Sequence, residues 1–368
     1  MNKVDNYFLS KSDKLSYIEL KNKMSEYEKV GMIDIPLPII LDELMKGISN
    51  SDFQNEISME YIINGILFNI AVDKDFRYIS DYKDILKNIV KDPVKYSINL
   101  GIKHLETDIE RSLIYFRAAF ILDESDEFAA YNYARLLWNA DCTKEDRSLF
   151  IEQSIRILER IIRHNENYPL AYFELGNINR AMGEWLKADS FYKKTLNHLE
   201  IEELREEVRN KINEIAPDVA VENAIYFINK MDYFRAIETL MDARKNSGRY
   251  DIPYYIAIAY MNRENPEMAE VFFEEAIEKG ADFSTLYVDY TYTKYILGKD
   301  IEALQIANSA LEKYPADIKL RYNRAIIYIS LKKYDKANED FDFILEYQDL
   351  SDELFNQIMI IKENLKEE

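Results

Sequence analysis

The residue types that most often carry chemistry are few in this chain, and they show no catalytic or metal-binding arrangement. Among 368 residues there are three histidines and one cysteine, at His104, His164, His198 and Cys142. None of them stands at the spacing that a zinc site, a catalytic triad or a redox pair requires. The acidic run at 123–127 lacks the ligand order and the turn glycine of a calcium loop. The sequence therefore predicts no enzymatic activity, no metal and no cofactor.

The elements that would position functional side chains are helices that repeat at a fixed interval. Ala269, Ala303 and Ala337 are 34 residues apart, and further apolar residues follow each of them four and seven places later. A period in this range is typical of helix pairs that stack into a solenoid, because one pair is too small to bury its own apolar face. Apolar residues spaced at i, i+3 and i+4 run through most of the chain. The sequence thus predicts an all-α solenoid of antiparallel helix pairs.

One unit of this array, at 169–192, resembles the tetratricopeptide repeat. The positions that match the family pattern are Tyr172, where the family prefers Trp, and then Leu175, Gly176, Gly183, Ala188 and Tyr192. Asn179 departs from the pattern, since the family usually has Tyr there. The resemblance implies a right-handed superhelical array of about seven repeats over residues 93–351.

The repeat phase divides the chain into four predicted segments. Residues 1–92 form a helical N-terminal segment, 93–216 a first arm of three repeats, 217–351 a second arm of four, and 352–368 a helix that caps the stack. The apolar stripe of the third repeat continues from Glu184 to Ile215, so we expect the first arm to end in one long helix.

The N-terminal segment fits the repeat phase poorly. Its apolar spacing predicts a helix at about 8–29, an extended bend at 33–38, and helices near 39–47, 55–71 and 78–90. We expect the last two helices to form a degenerate eighth hairpin that packs as an N-terminal cap, since a repeat array needs its ends covered.

Charge and composition narrow the class of partner. The formal net charge is −20 and the acidity is spread along the chain, which disfavours direct binding of nucleic acid and favours a basic or amphipathic partner. The single cysteine is typical of a reducing compartment. Neither a signal peptide nor a membrane span is evident. We therefore expect a cytoplasmic protein without membrane insertion, and the sequence predicts no oligomeric state.

The binding residues that the resemblance implies are the groove positions of the first helix in each repeat. Carried onto this sequence they are Tyr131, Arg135, Trp138, Phe173, Asn177, Arg180, Tyr254, Asn262, Tyr292, Tyr295 and Tyr322. Aromatic and Arg side chains dominate interface energies because they bury a large area with little loss of rotamer freedom. The alternative is that many of these tyrosines pack in the core, since the chain contains 28 of them. The lysines of the carboxylate clamp found in chaperone-binding members are absent from these positions.

The leading hypothesis is a non-enzymatic scaffold that captures a protein or peptide segment in this aromatic groove. A first alternative is a peptide-sensing regulator that acts through the N-terminal segment, in which case a short peptide would change the radius of gyration. A second alternative is an accessory subunit of an enzyme complex.

Overall fold

A computed structural model describes residues 3–19, 32, 34–49, 57–347 and 349–365. These residues contain nineteen α-helices, one 3-10 helix and one two-stranded antiparallel sheet. The chain divides into two compact units, Met1–Ile212 and Asn213–Glu368. The predicted all-α repeat array is confirmed, with the small sheet as an addition near the N-terminus.

The first unit begins with short elements and continues as helix pairs. Its early elements are α1 (Lys3–Leu9), a 3-10 helix (Ser10–Lys14), β1 (Leu15–Ile18), β2 (Leu37–Ile40), α2 (Leu41–Ser49), α3 (Met59–Val72) and α4 (Ile79–Ile89). The helix pairs that follow are α5 (Pro93–His104) with α6 (Ile109–Leu122), α7 (Glu127–Leu137) with α8 (Arg147–His164), and α9 (Pro169–Ala181) with α10 (Trp185–His198).

The helix α11 (Glu202–Asn229) contains the division between the units. The remaining helices are α12 (Tyr233–Arg244), α13 (Asp251–Asn262), α14 (Pro266–Glu278), α15 (Ser284–Ile296), α16 (Asp300–Lys313), α17 (Ile318–Ser330), α18 (Tyr334–Leu345) and α19 (Asp352–Asn364). Three pairs of these helices pack side by side, namely α13 with α14, α15 with α16, and α17 with α18.

The 34-residue interval appears in the structure as a repeated helix start and a repeated contact. The helices α14, α16 and α18 begin at Pro266, Asp300 and Tyr334, so their first residues are 34 residues apart. Ala269, Ala303 and Ala337 occupy the same place on these helices, and each is completely buried. A side chain of this size lets two helices approach closely, while Phe273 and Phe341, one turn after Ala269 and Ala337, fill the gap beside it.

The N-terminal segment is built around α3, in which every residue from Ile62 to Val72 is buried. β2 crosses this helix at Gly65, where a Cβ atom would lie 1.9 Å from the carbonyl oxygen of Pro38. The core of this segment is continuous with that of the repeats through residue 178.

The predicted helix at 8–29 is wrong over its first part. The chain there forms the end of α1, the 3-10 helix and β1, and the residues from 20 to 31 lie outside the described ones. β1 is antiparallel to β2, with Leu15 opposite Ile40. Pairing with a strand more than twenty residues away overrides the local helical spacing, because strand formation depends on the partner that the fold supplies.

The predicted long helix from Glu184 to Ile215 is also wrong. α10 ends at His198, and Leu199 takes an extended conformation with φ −94° and ψ 121°. The guanidinium of Arg205 donates a hydrogen bond of 2.7 Å to the carbonyl oxygen of Leu199, which satisfies one acceptor at this helix end. A stripe of apolar residues on two successive helices gives the same spacing as one long helix, so the break could not be seen from periodicity.

The last helix, α19, packs on α18 through the completely buried Ile358. Its start is capped by Ser351, whose Oγ accepts a hydrogen bond of 3.3 Å from the backbone N–H of Leu354.

Candidate functional site

The first unit contains an open depression of about 560 Å³, here called the first-unit depression. It is formed by α7, α9 and the beginning of α11, with the α5–α6 turn at its edge. The predicted groove residues that line it are Tyr131, Arg135, Trp138, Phe173, Asn177 and Arg180. Their places follow from helix geometry, because residues three and four apart on α7 and α9 share one face.

The floor of the first-unit depression is a buried carboxylate. Glu174 is only 4 % exposed. The indole Nε1–H of Trp138 donates a hydrogen bond of 2.6 Å to its Oε1, and the Nδ2 of Asn177 donates one of 3.3 Å to its Oε2. Burial raises the pKa of Glu174, while these two hydrogen bonds and the nearby cations Arg135 and Lys211 lower it in part.

The carboxylate fixes two of the predicted binding side chains. Because Trp138 donates its only N–H to Glu174, the indole can offer a partner its ring but no hydrogen bond. Asn177 is held from both sides, since its Oδ1 also accepts a hydrogen bond of 2.9 Å from the hydroxyl of Tyr192. These two hydrogen bonds position the side-chain amide of Asn177 against Glu174.

Three cations line the first-unit depression together with Glu174. Arg135 lies with its guanidinium carbon 5.9 Å from the ring centre of Tyr131, and Lys211 lies with its Nζ 5.6 Å from that of Phe173. Arg180 is the third cation of the lining, and Glu174 is the single carboxylate among the described lining residues. The first-unit depression is thus locally cationic within a chain of formal net charge −20.

The second unit contains a smaller depression of about 230 Å³, here called the second-unit depression. It brings together the predicted residues Tyr292, Tyr295 and Tyr322, with Asn323 and Ile326 beside them. Tyr292 is 49 % exposed, so it does not belong to the core. The described residues that line this depression include no charged side chain.

The two remaining predicted residues line neither depression. The hydroxyl of Tyr254 donates a hydrogen bond of 2.9 Å to Oδ2 of Asp289, whose pKa is raised by burial. Asn262 is exposed, and its Nδ2 donates a hydrogen bond of 2.8 Å to the carbonyl oxygen of Ile258 in its own helix. Two residues of the first-unit depression, Glu174 and Lys211, were missed by the sequence analysis.

The histidines and the cysteine form no cluster. His104 stacks on Tyr115 and His198 on Tyr172, and Cys142 is half-buried, with a thiol pKa that burial raises. Among the described residues no group of histidine, cysteine and acidic side chains could hold a metal ion. Within those same residues no helix is both long enough and apolar enough to cross a bilayer.

Comparison with known proteins gives matches only among solved structures. No protein-family model and no curated protein sequence matches the chain. The yeast Sti1 TPR2AB domain in its Hsp90 complex is 16 % identical at a TM-score of 0.28, over 67 % of this chain and 98 % of that one. A tetratricopeptide repeat protein from Parabacteroides merdae is 13 % identical at 0.35, over 73 % and 98 %. YrrB, described as a TPR protein with an unusual peptide-binding site, is 15 % identical at 0.26, over 63 % and 92 %.

These similarities are too low to support an argument about function, and the class of the fold rests on this chain's own helices. Antiparallel helix pairs, a 34-residue interval and a buried alanine at one position of successive second helices together make an all-α array of repeated helix pairs. This is the architecture that the resemblance to the tetratricopeptide repeat implies, and the predicted fold class is confirmed.

Proposed function

We propose that this chain is a non-enzymatic, cytoplasmic interaction scaffold that holds a protein or peptide segment in the first-unit depression. The observation that carries the proposal is that six residues chosen from repeat positions line one open depression. Three are aromatic and two are arginines, the residue types that contribute most to binding energy when a partner covers them.

The internal hydrogen bonds of the depression support this assignment. Glu174, Trp138, Asn177 and Tyr192 hold one another through distances of 2.6 to 3.3 Å. A partner would therefore meet side chains that are already fixed, and less conformational freedom would be lost when it binds. This arrangement favours recognition over catalysis, because Glu174 faces no nucleophile and no second acid at hydrogen-bonding distance among the described residues.

Site-specific crosslinking tests the proposal. Asn139 lies in the first-unit depression and is exposed, so benzoylphenylalanine in its place should crosslink to a bound partner in native lysate. The matched control places the same amino acid at Arg163, an exposed residue of α8 that does not line the depression. We expect a discrete crosslinked species from position 139 alone. Equal crosslinking from both positions, or none from position 139, would contradict the proposal.

A further inference from the structure

We propose that the first-unit depression binds an acidic internal segment of a protein partner. Carboxylates of that segment would pair with Arg135 and Lys211, and its apolar side chains would contact Trp138 and Phe173. This inference rests on the proposed function and names the chemistry of the partner. It reverses the expectation of a basic partner that the bulk charge of the chain suggests.

The first argument is the local balance of charge. The described lining residues include three cations and one carboxylate, although acidic residues outnumber basic ones in the whole chain. Both oxygens of Glu174 already accept hydrogen bonds from Trp138 and Asn177. The carboxylate that could hold a basic partner is thus buried and engaged, while the cations stand around it.

The second argument is the state of Arg135. Its Nε is buried without a hydrogen-bond partner, and no acidic residue of the described chain forms an ion pair with its guanidinium. A carboxylate oxygen of the bound segment would give this guanidinium the charged partner that the described residues do not supply. Guanidinium and carboxylate groups also form two parallel hydrogen bonds, which would fix the position of the bound segment.

The third argument concerns the apolar part of the segment. The rings of Trp138 and Phe173 are partly exposed between the cations. Acidic residues alone would leave these rings uncovered. A segment that alternates acidic with apolar residues would both pair with the cations and cover the rings. This segment need not be a chain terminus, because the described lining residues include no cluster of lysines that would bind a terminal carboxylate.

Peptide binding measured by fluorescence anisotropy tests this inference. Three labelled peptides of about ten residues, acetylated and amidated at their ends, would alternate Leu with Glu, with Gln or with Lys. We expect the Glu peptide to bind most tightly at physiological salt, where unspecific surface attraction is largely screened. Arg135→Gln should weaken this binding about tenfold, the loss typical of one charge-assisted pair. Arg135→Lys should retain part of it, and the control Arg163→Gln should leave it unchanged.

Other outcomes would overturn the inference. Equal or tighter binding of the Lys or Gln peptide, an equal effect of Arg135→Gln and Arg163→Gln, or no saturable binding of the Glu peptide would each do so. If Arg135→Gln does not fold, as judged by circular dichroism, Lys211→Gln decides in its place. Crosslinking from position 139 would still support the proposed function in every one of these cases, so the two failures are distinguishable.

Discussion

The two depressions use the same repeat positions but opposite chemistry. The corresponding pairs are Arg135 and Tyr292, Trp138 and Tyr295, Phe173 and Tyr322, Glu174 and Asn323, and Asn177 and Ile326. In the first unit the floor residue is a carboxylate that binds two side chains of the lining. In the second unit it is an amide, and the Nδ2 of Asn323 donates a hydrogen bond of 3.0 Å to the carbonyl oxygen of Val288.

This comparison teaches that repeat geometry determines where a side chain lies and the floor residue determines what the surface can do. A carboxylate at the floor takes up the polar atoms of its neighbours and is itself surrounded by cations. The amide of Asn323 donates to the backbone instead, so it does not engage the hydroxyl groups of the neighbouring tyrosines. On the function proposed above, a charged segment would suit the first unit and an apolar or aromatic side chain the second.

The two depressions should differ most in how much the aromatic residue at one corresponding position, Trp138 in the first unit and Tyr295 in the second, contributes to the free energy of unfolding. Trp138→Phe keeps an aromatic ring but removes the hydrogen bond to the buried Glu174. Because a hydrogen bond to a charged group contributes about 1.5–3 kcal/mol, we expect the free energy of local unfolding in α7 and α9 to fall by about 2 kcal/mol. Hydrogen exchange followed by mass spectrometry would measure this loss in the helices concerned.

The matched control is Tyr295→Phe at the corresponding position of the second unit. No described residue accepts a hydrogen bond from the Tyr295 hydroxyl, so we expect a change within about 0.5 kcal/mol. If the two substitutions had equal effects, the contrast between the two floors would be lost.

The sequence predicts the positions of many residues that line the two depressions, but it does not predict the charge and the hydrogen bonds that distinguish them. The 34-residue phase correctly predicted the buried alanines, and the groove positions of α7 and α9 do line one depression. Glu174 was missed because a single acidic residue beside Phe173 looks like part of a solvated helix face. Glu174 forms the floor of the depression because Trp138, from the preceding helix pair, hydrogen-bonds to it. A contact between different helix pairs cannot be read from the spacing of apolar residues along the sequence.

Two other features depended on contacts far apart in the sequence. Lys211 reaches the first-unit depression only because the chain breaks after His198 and a new helix begins. β1 exists because β2 pairs with it, and the intervening residues carry no hairpin signal. Periodicity identifies elements that repeat, and it is silent where the chain departs from the repeat.

A smaller difference should appear in the pH dependence of the first unit. Burial raises the pKa of Glu174 above its ordinary value of 4.5, so the folded state binds this proton more tightly than the unfolded state. Its contribution to stability is then complete below pH 4.5 and is lost as the pH rises through the folded-state pKa. Glu174→Gln should remove this decline between acidic and neutral pH.

The Trp138→Phe variant sharpens this test. It lacks one of the donors that lower the pKa of Glu174, so its decline should extend to higher pH than in the parent chain. Other carboxylates with lowered pKa values, such as Glu110 and Glu275, act in the opposite direction in all variants. The readout is therefore the difference between the variant and parent profiles, and parallel profiles would contradict the assignment.

The smallest expected difference lies in the turns between paired helices. Gly183 in the first unit has φ +76°, and Lys332 occupies the corresponding turn of the last pair with φ +57°. This left-handed conformation is unfavourable by about 1–2 kcal/mol for a residue with a Cβ atom, part of which is offset by the lower chain entropy of a non-glycine residue. Lys332→Gly should therefore stabilise α17 and α18 by about 0.5–1 kcal/mol.

The converse substitution is Gly183→Ala, which should destabilise α9 and α10 by a similar amount. A Cβ atom on Gly183 would meet no other atom within 4 Å, so a loss of stability there can come only from the backbone conformation. Urea denaturation of both variants measures the two shifts with the same probe. Shifts of the same sign would mean that packing, and not the left-handed turn, controls these positions, and the two units would then differ in their turns as well as in their depressions.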